Sequence, residues 1–72
     1  MTEKQMTESL GDALPQEIQR VQELIPMYES VQMGFIAAGL MRESIRAAHE
    51  AMIAGDVVAM LQAYGDLKGY KA

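Results

Sequence analysis

The 72-residue chain contains no cysteine, two prolines and a single histidine. The lack of cysteine excludes disulfides, thiolate metal sites and cysteine nucleophiles. No uncharged run approaches the ~20 residues that a membrane span requires, and the N-terminus lacks both the apolar stretch of a secretory signal and the arginine-rich character of a transit peptide. From these absences we expect a cytoplasmic protein with no membrane partner.

Charge is modest, and its balance is acidic. Six basic residues stand against ten acidic ones, so the net charge is -4 and the pI is near 4.7. Because phosphate binding requires a cationic face, we expect no nucleic-acid partner. Half of the residues are hydrophobic, which is too many for a disordered chain. The length allows one small domain.

Apolar residues recur at steps of three and four in three segments, the pattern of amphipathic helices. We predict α-helices over residues 15–32, 35–54 and 57–68. Pro15 suits a first helical position because its missing N–H would have no partner there. Gly55 can end the second helix in the left-handed conformation, and Asp56 can cap the third. With short joints at Gly34 and Gly55, the sequence predicts an all-α fold, a three-helix antiparallel bundle.

Two points about the N-terminal half stay open at this level. Residues 1–13 are mostly polar, so we expect a flexible arm there, followed by a single helical domain over residues 14–72. Leu10 would be the anchor of this arm if it orders on a partner. Pro26 interrupts the first helix, at a cost of ~3 kcal/mol. Because the helical spacing of apolar residues continues past Pro26 to Tyr28, we favour a kink at Pro26 over a break at which a new helix begins.

No motif for catalysis or cofactor binding is present. His49 stands alone, because Ile53 occupies the position of the second histidine in a zinc-protease motif. Arg46 stands where a di-iron Glu-x-x-His pair requires glutamate. Neither Ser30 nor Ser44 has a histidine at helical spacing, and no glycine-rich phosphate loop occurs. We therefore predict no enzymatic activity, no catalytic residue, no metal and no cofactor.

Charged residues of the second helix have natural partners nearby. Arg42, Arg46 and His49 share one side of this helix and make a weak basic strip. We expect these groups to meet acidic residues of the first helix, such as Glu23 or Glu29; the default alternative is a solvated face with pairs inside the second helix. Arg46 can also pair with a glutamate four residues further along its own helix.

The most informative segment is residues 33–41, in which nine residues carry no polar side chain. A surface helix should show polar residues on about half of its circumference. We therefore favour burial against a second copy of the chain over burial beneath the other two helices. A domain this small, without disulfides or metals, commonly needs oligomerisation to be stable. The predicted homodimer interface consists of Met27, Met33, Phe35, Ile36, Gly39 and Leu40.

Three stretches resemble a family of small uncharacterised helical proteins from proteobacteria and their phages. They are residues 13–18 (Ala-Leu-Pro-Gln-Glu-Ile), 34–38 (Gly-Phe-Ile-Ala-Ala) and 55–64 (Gly-Asp-Val-Val-Ala-Met-Leu-Gln-Ala-Tyr), within a likeness that spans about residues 14–70. No activity is attached to that family, so the resemblance implies no functional residues. Ala-Gly-Asp at residues 54–56 is also similar to the turn of a tetratricopeptide repeat, but a single helix pair is not a repeat array.

The functional hypothesis that follows is a small self-associating protein–protein interaction module. The alternative is a small acidic inhibitor or mimic of the phage type, which blocks a host protein. The ten acidic residues are spread along the chain. A nucleic-acid mimic would instead carry a dense acidic array, so the interaction module is the favoured hypothesis.

Overall fold

The chain folds into three α-helices in a computed structural model that describes residues 3–71. They are α1 (Glu3–Glu29), α2 (Gly34–Ala54) and α3 (Val57–Lys68). Among these residues there is no β-strand, and each helix packs against the other two. Because the connections are short, successive helices reverse direction. The prediction of an all-α three-helix bundle is confirmed.

One face of each helix forms the core. The largest fully buried side chains are Leu14, Val21, Met41 and Leu67. Full burial of one such side chain contributes ~1.5–3 kcal/mol. No polar or charged side chain is buried among the residues whose side chains the structure describes. The core is therefore held by apolar packing, as the three-and-four periodicity predicts.

The start of the first helix differs from the prediction. α1 begins at Glu3 and runs through Pro15, so the predicted start at Pro15 is wrong. Leu10 is only 5% exposed and joins the core one turn before Leu14. Burial of these two side chains on the same face offsets the backbone bond that the proline removes. Residues 3–13 are thus helical where an arm was predicted over residues 1–13, and residues 1–2 lie outside the described residues.

The end of α1 answers the question about Pro26. The helix continues through Pro26 and ends at Glu29, so it does not break at the proline and stops short of the predicted residue 32. Leu24 is buried just before the proline, and Tyr28 packs against the core just after it. Core contacts on both sides of Pro26 hold the helix together despite the lost backbone bond.

The turn between α1 and α2 depends on a glycine. A Cβ added at Gly34 would lie 1.6 Å from the carbonyl oxygen of Tyr28, so only glycine fits. The residue before it, Met33, has a φ of 65° and lies in the left-handed region, which is uncommon for any residue other than glycine, asparagine or aspartate. α2 starts at Gly34, one residue before the predicted start.

The turn between α2 and α3 follows the local chemistry of its residues. Gly55 has a φ of 67° and ends α2 in the left-handed conformation. The side chain of Asp56 accepts a hydrogen bond of 3.1 Å from the backbone N–H of Ala59 and so caps α3. Both capping predictions are confirmed, and α3 has the predicted bounds.

The end of α3 is fixed by a side chain of α1. Arg20 donates hydrogen bonds of 2.8 Å to the carbonyl oxygens of Leu67 and Tyr70. Glu17 accepts a further bond of 2.9 Å from the same guanidinium. The tail beyond α3 then continues along α1, where the Tyr28 hydroxyl donates to the carbonyl of Lys71.

Candidate interaction surface

The three helices differ in length, and this leaves one end of the bundle incomplete. At a rise of 1.5 Å per residue, α1 is ~40 Å long, α2 ~32 Å and α3 only ~18 Å. α3 begins beside the C-terminal end of α2, and Leu67 near its end lies against Arg20 in the middle of α1. The last turns of α1 and the first turns of α2 therefore extend beyond the third helix.

The row of side chains along α2 shows where this cover stops. Ser44 lies 2.9 Å from the Tyr70 hydroxyl, so the C-terminal tail reaches this position. Leu40 and Ile36 continue the same row towards the N-terminus of α2 at steps of four residues. They are 59% and 51% exposed. They face solvent because they lie on the side of α2 turned away from the buried Ala38 and Met41.

An apolar surface results at this end, and we call it the end surface. Its large side chains are between 51% and 66% exposed, with Phe35 the most exposed, and its glycine is exposed as well. The end surface consists of Met27, Val31, Met33, Phe35, Ile36, Gly39 and Leu40.

All residues of the predicted interface belong to the end surface, so the structure brings the whole predicted set to one exposed end of the bundle. Val31, which is 57% exposed, was missing from the prediction. Its signal in the sequence is its position in the connection, two residues before the apolar segment of residues 33–41. The alternative that was not favoured, burial beneath the other two helices, does occur for Gly34, Ala38 and Met41 in that segment.

An ion pair lies between α1 and α2 beside the end surface. Arg42 donates to the Glu29 carboxylate at 2.7 Å, with about half of each side chain exposed. This partnership was predicted for Arg42; the same prediction was wrong for Arg46, which pairs with glutamates of its own helix. Surface ion pairs contribute only ~0–1 kcal/mol, so its main effect here is to neutralise two charges at the border of an apolar region.

Further along α2, Arg46 pairs with two glutamates of its own helix. Hydrogen bonds to Glu43 and then to Glu50 raise the pKa of the Arg46 guanidinium above its ordinary value. The hydrogen bond from Arg46 lowers the pKa of Glu43 in return. The pairing of Arg46 with a glutamate four residues later is confirmed.

A smaller apolar group, which the sequence reasoning missed, lies near the other end of α2. Ile53 is 86% exposed, and Val58 and Leu61 of α3 are 65% and 45% exposed. Asp56 divides this group along the chain, so its apolar runs are shorter than that of residues 33–41. Its exposed apolar side chains offer control positions for substitutions in the end surface.

Within the described part of the chain, no group of three or more histidine or carboxylate side chains is placed to hold a metal ion. No buried side-chain nitrogen or oxygen in residues 10–71 lacks a hydrogen-bond partner. Of α1, α2 and α3, none is both long and apolar enough to span a bilayer. The end surface is therefore the candidate functional site.

Comparison with known proteins gave no match: no protein-family model matches the chain, and no curated protein or solved structure is similar to it. The resemblance to small helical proteins of proteobacteria and phages therefore stays a prediction.

Proposed function

We propose that this protein is a small self-associating interaction module, a homodimer held together through the end surface. The observation that supports the proposal is the grouping of six large apolar side chains at one end of the bundle, each at least half exposed. Single exposed apolar residues are normal, but a contiguous exposed group marks a contact site. A cytoplasmic location in a bacterial or phage-infected cell belongs to the same proposal.

The size of the end surface suits a dimer. Full burial of a large apolar side chain contributes ~1.5–3 kcal/mol, so a half-exposed one retains about 1–2 kcal/mol that association can still supply. Six such side chains on each of two copies contribute on the order of 10–20 kcal/mol. The loss of translational and rotational freedom opposes this with ~4–15 kcal/mol. The apolar contribution is thus of the same order as the cost of association.

The charges support an interaction module over an acidic inhibitor. Four glutamates, at positions 17, 29, 43 and 50, are each paired with an arginine. Paired carboxylates attract a basic partner less than free ones do, because the neighbouring cation cancels much of their field. The end surface is instead uncharged, which suits contact with another uncharged apolar surface.

Light scattering on the unmodified protein and on two matched variants tests the proposal. Leu40→Asp places a charge in the end surface, and Val58→Asp places the same charge at a similarly exposed position at the other end. We expect a dimeric mass for the unmodified chain and for Val58→Asp, and a monomeric mass for Leu40→Asp. Circular dichroism verifies that both variants remain helical.

A monomeric mass for the unmodified chain at micromolar concentration, with cooperative thermal unfolding retained, would contradict the proposal. Equal loss of the dimer in both variants would also contradict it, because the effect would then not belong to the end surface.

A further inference from the structure

The C-terminal tail, residues 69–71, joins α1 to α2 beyond the end of α3. The Tyr70 carbonyl oxygen accepts a hydrogen bond of 2.8 Å from Arg20 of α1. At the other end of the same residue, the Tyr70 hydroxyl lies 2.9 Å from the hydroxyl of Ser44 on α2. The partly buried Tyr70 ring packs against the core. Tyr70 therefore lies across the groove between α1 and α2.

A second tyrosine holds the tail one position further on. The Tyr28 hydroxyl of α1 donates to the carbonyl of Lys71, and the Tyr28 ring is also partly buried against the core. In the chain, Tyr28 directly follows Met27, a residue of the end surface. The part of the groove that the tail covers therefore adjoins the end surface.

The contacts that hold the tail are separate from those that hold the helices together. Within residues 3–71, its hydrogen bonds to α1 and α2 all involve side chains, and the backbone N–H groups of Gly69 and Tyr70 donate to carbonyls of α3. Arg20 also bonds to Leu67, so it still holds α3 when its bond to Tyr70 opens. A segment held by a few side-chain contacts opens at a lower free energy than packed helices do.

We propose that residues 69–71 act as a strap, which detaches from α1 and α2 while the three helices stay folded. Gly69 is the joint, because glycine rotates with less steric restriction than any other residue. The attached strap covers the groove, and the detached strap uncovers the rings of Tyr28 and Tyr70 beside the end surface. The strap thus sets how much apolar surface this end of the bundle exposes.

The proposal depends on contacts within one chain, so it holds for a monomer as well as for a dimer. An aromatic side chain buries about 150–250 Å² in a core, so the exposure of two rings is a measurable change. Both hydroxyls find water as a partner once the strap detaches, which lowers the cost of opening.

Fluorine NMR of the full chain labelled with 3-fluorotyrosine follows the strap and the helices separately. The chain contains three tyrosines, and the variants Tyr28→Phe and Tyr64→Phe assign their resonances. Tyr28→Phe also removes the hydroxyl that holds the tail. Tyr64 is the matched control on α3, where its ring instead lies 5.6 Å from the Lys68 ammonium.

We expect the Tyr70 resonance to reach the position of a free tyrosine about 10 °C or more below the temperature at which circular dichroism shows loss of the helices. Tyr28→Phe should lower this detachment temperature further without loss of helicity, and Tyr64→Phe should leave it unchanged. Between the two temperatures, the fluorescence of the dye ANS, which reports exposed apolar surface, should rise about twofold.

Three results would overturn the proposal. In the first, Tyr70 changes only together with the helices, so that the tail does not detach by itself. In the second, Tyr70 already has the resonance of a free tyrosine at low temperature, so that the tail is not attached. In the third, ANS fluorescence stays constant between the two temperatures, so that the tail covers no apolar surface. A monomeric mass in light scattering would contradict the proposed dimer and leave the strap in place.

Discussion

Replacement of Arg20 by alanine should destabilise the fold because it removes hydrogen bonds to the C-terminal end of α3. Arg20 donates to the carbonyl oxygens of Leu67 and Tyr70, 47 and 50 residues away. The last carbonyls of a helix have no partner inside the helix. The Leu67 carbonyl accepts from the Tyr70 N–H at 3.1 Å, and the guanidinium adds a second bond to it from outside α3. Glu17 fixes the orientation of the guanidinium through a third bond.

The magnitude follows from the two bonds and their exposure. Hydrogen bonds to a charged group contribute ~1.5–3 kcal/mol each when buried. The Arg20 side chain is 38% exposed, so water replaces part of the lost bonding in the variant. We expect Arg20→Ala to lower the free energy of unfolding by ~2 kcal/mol. For a domain of this size, that corresponds to a fall of about 8–16 °C in the thermal midpoint.

Thermal unfolding followed by circular dichroism measures this effect, with Arg42→Ala as the control. Arg42 makes one exposed ion pair, so Arg42→Ala should lower the free energy of unfolding by only ~0–1 kcal/mol. Amide hydrogen exchange should show faster exchange over α3 in Arg20→Ala than in the control. Equal midpoints for the two variants would refute the capping role of Arg20.

Three further predictions concern the turns and the charged face of α2. Asp56→Ala removes the cap of α3 and should lower the free energy of unfolding by ~1 kcal/mol. Asp56→Ser keeps a capping oxygen and should retain most of that stability in a parallel thermal scan. In the Leu40→Asp variant, which is expected to be monomeric, Met33→Asn should raise the thermal midpoint, because asparagine tolerates the left-handed conformation that costs other residues ~1–2 kcal/mol. A lower midpoint in that variant would contradict the strain at Met33. A carboxyl NMR titration should show a lowered pKa for Glu43, which Arg46→Met restores to its ordinary value. The lowered pKa means that this stabilisation is present at neutral pH and is lost as the pH falls through that value; a Glu43 pKa that is unchanged in Arg46→Met would contradict the pairing.

The chemistry of single residues determined much of this protein. The bounds of α3 follow from Gly55 and Asp56, because a left-handed glycine and a side-chain cap act over a few residues. The end surface was visible in residues 33–41 because a segment without polar side chains does not suit a solvated helix. These features depend on neighbours in the chain, so the sequence alone suffices to predict them.

Tertiary structure decided what depends on partners far along the chain. Pro15 was predicted to start the first helix, but Leu10 is buried in the core and α1 begins at Glu3. The end of α3 is capped by Arg20, a partner that no local pattern in the sequence indicates. The exposure of Phe35 and Leu40 was also decided at this level, because α2 packs through Ala38, Met41 and Ile45 and turns these two side chains away from the core. Local periodicity gives each helix an apolar face, but the lengths and relative positions of all three helices determine how much of that face is covered.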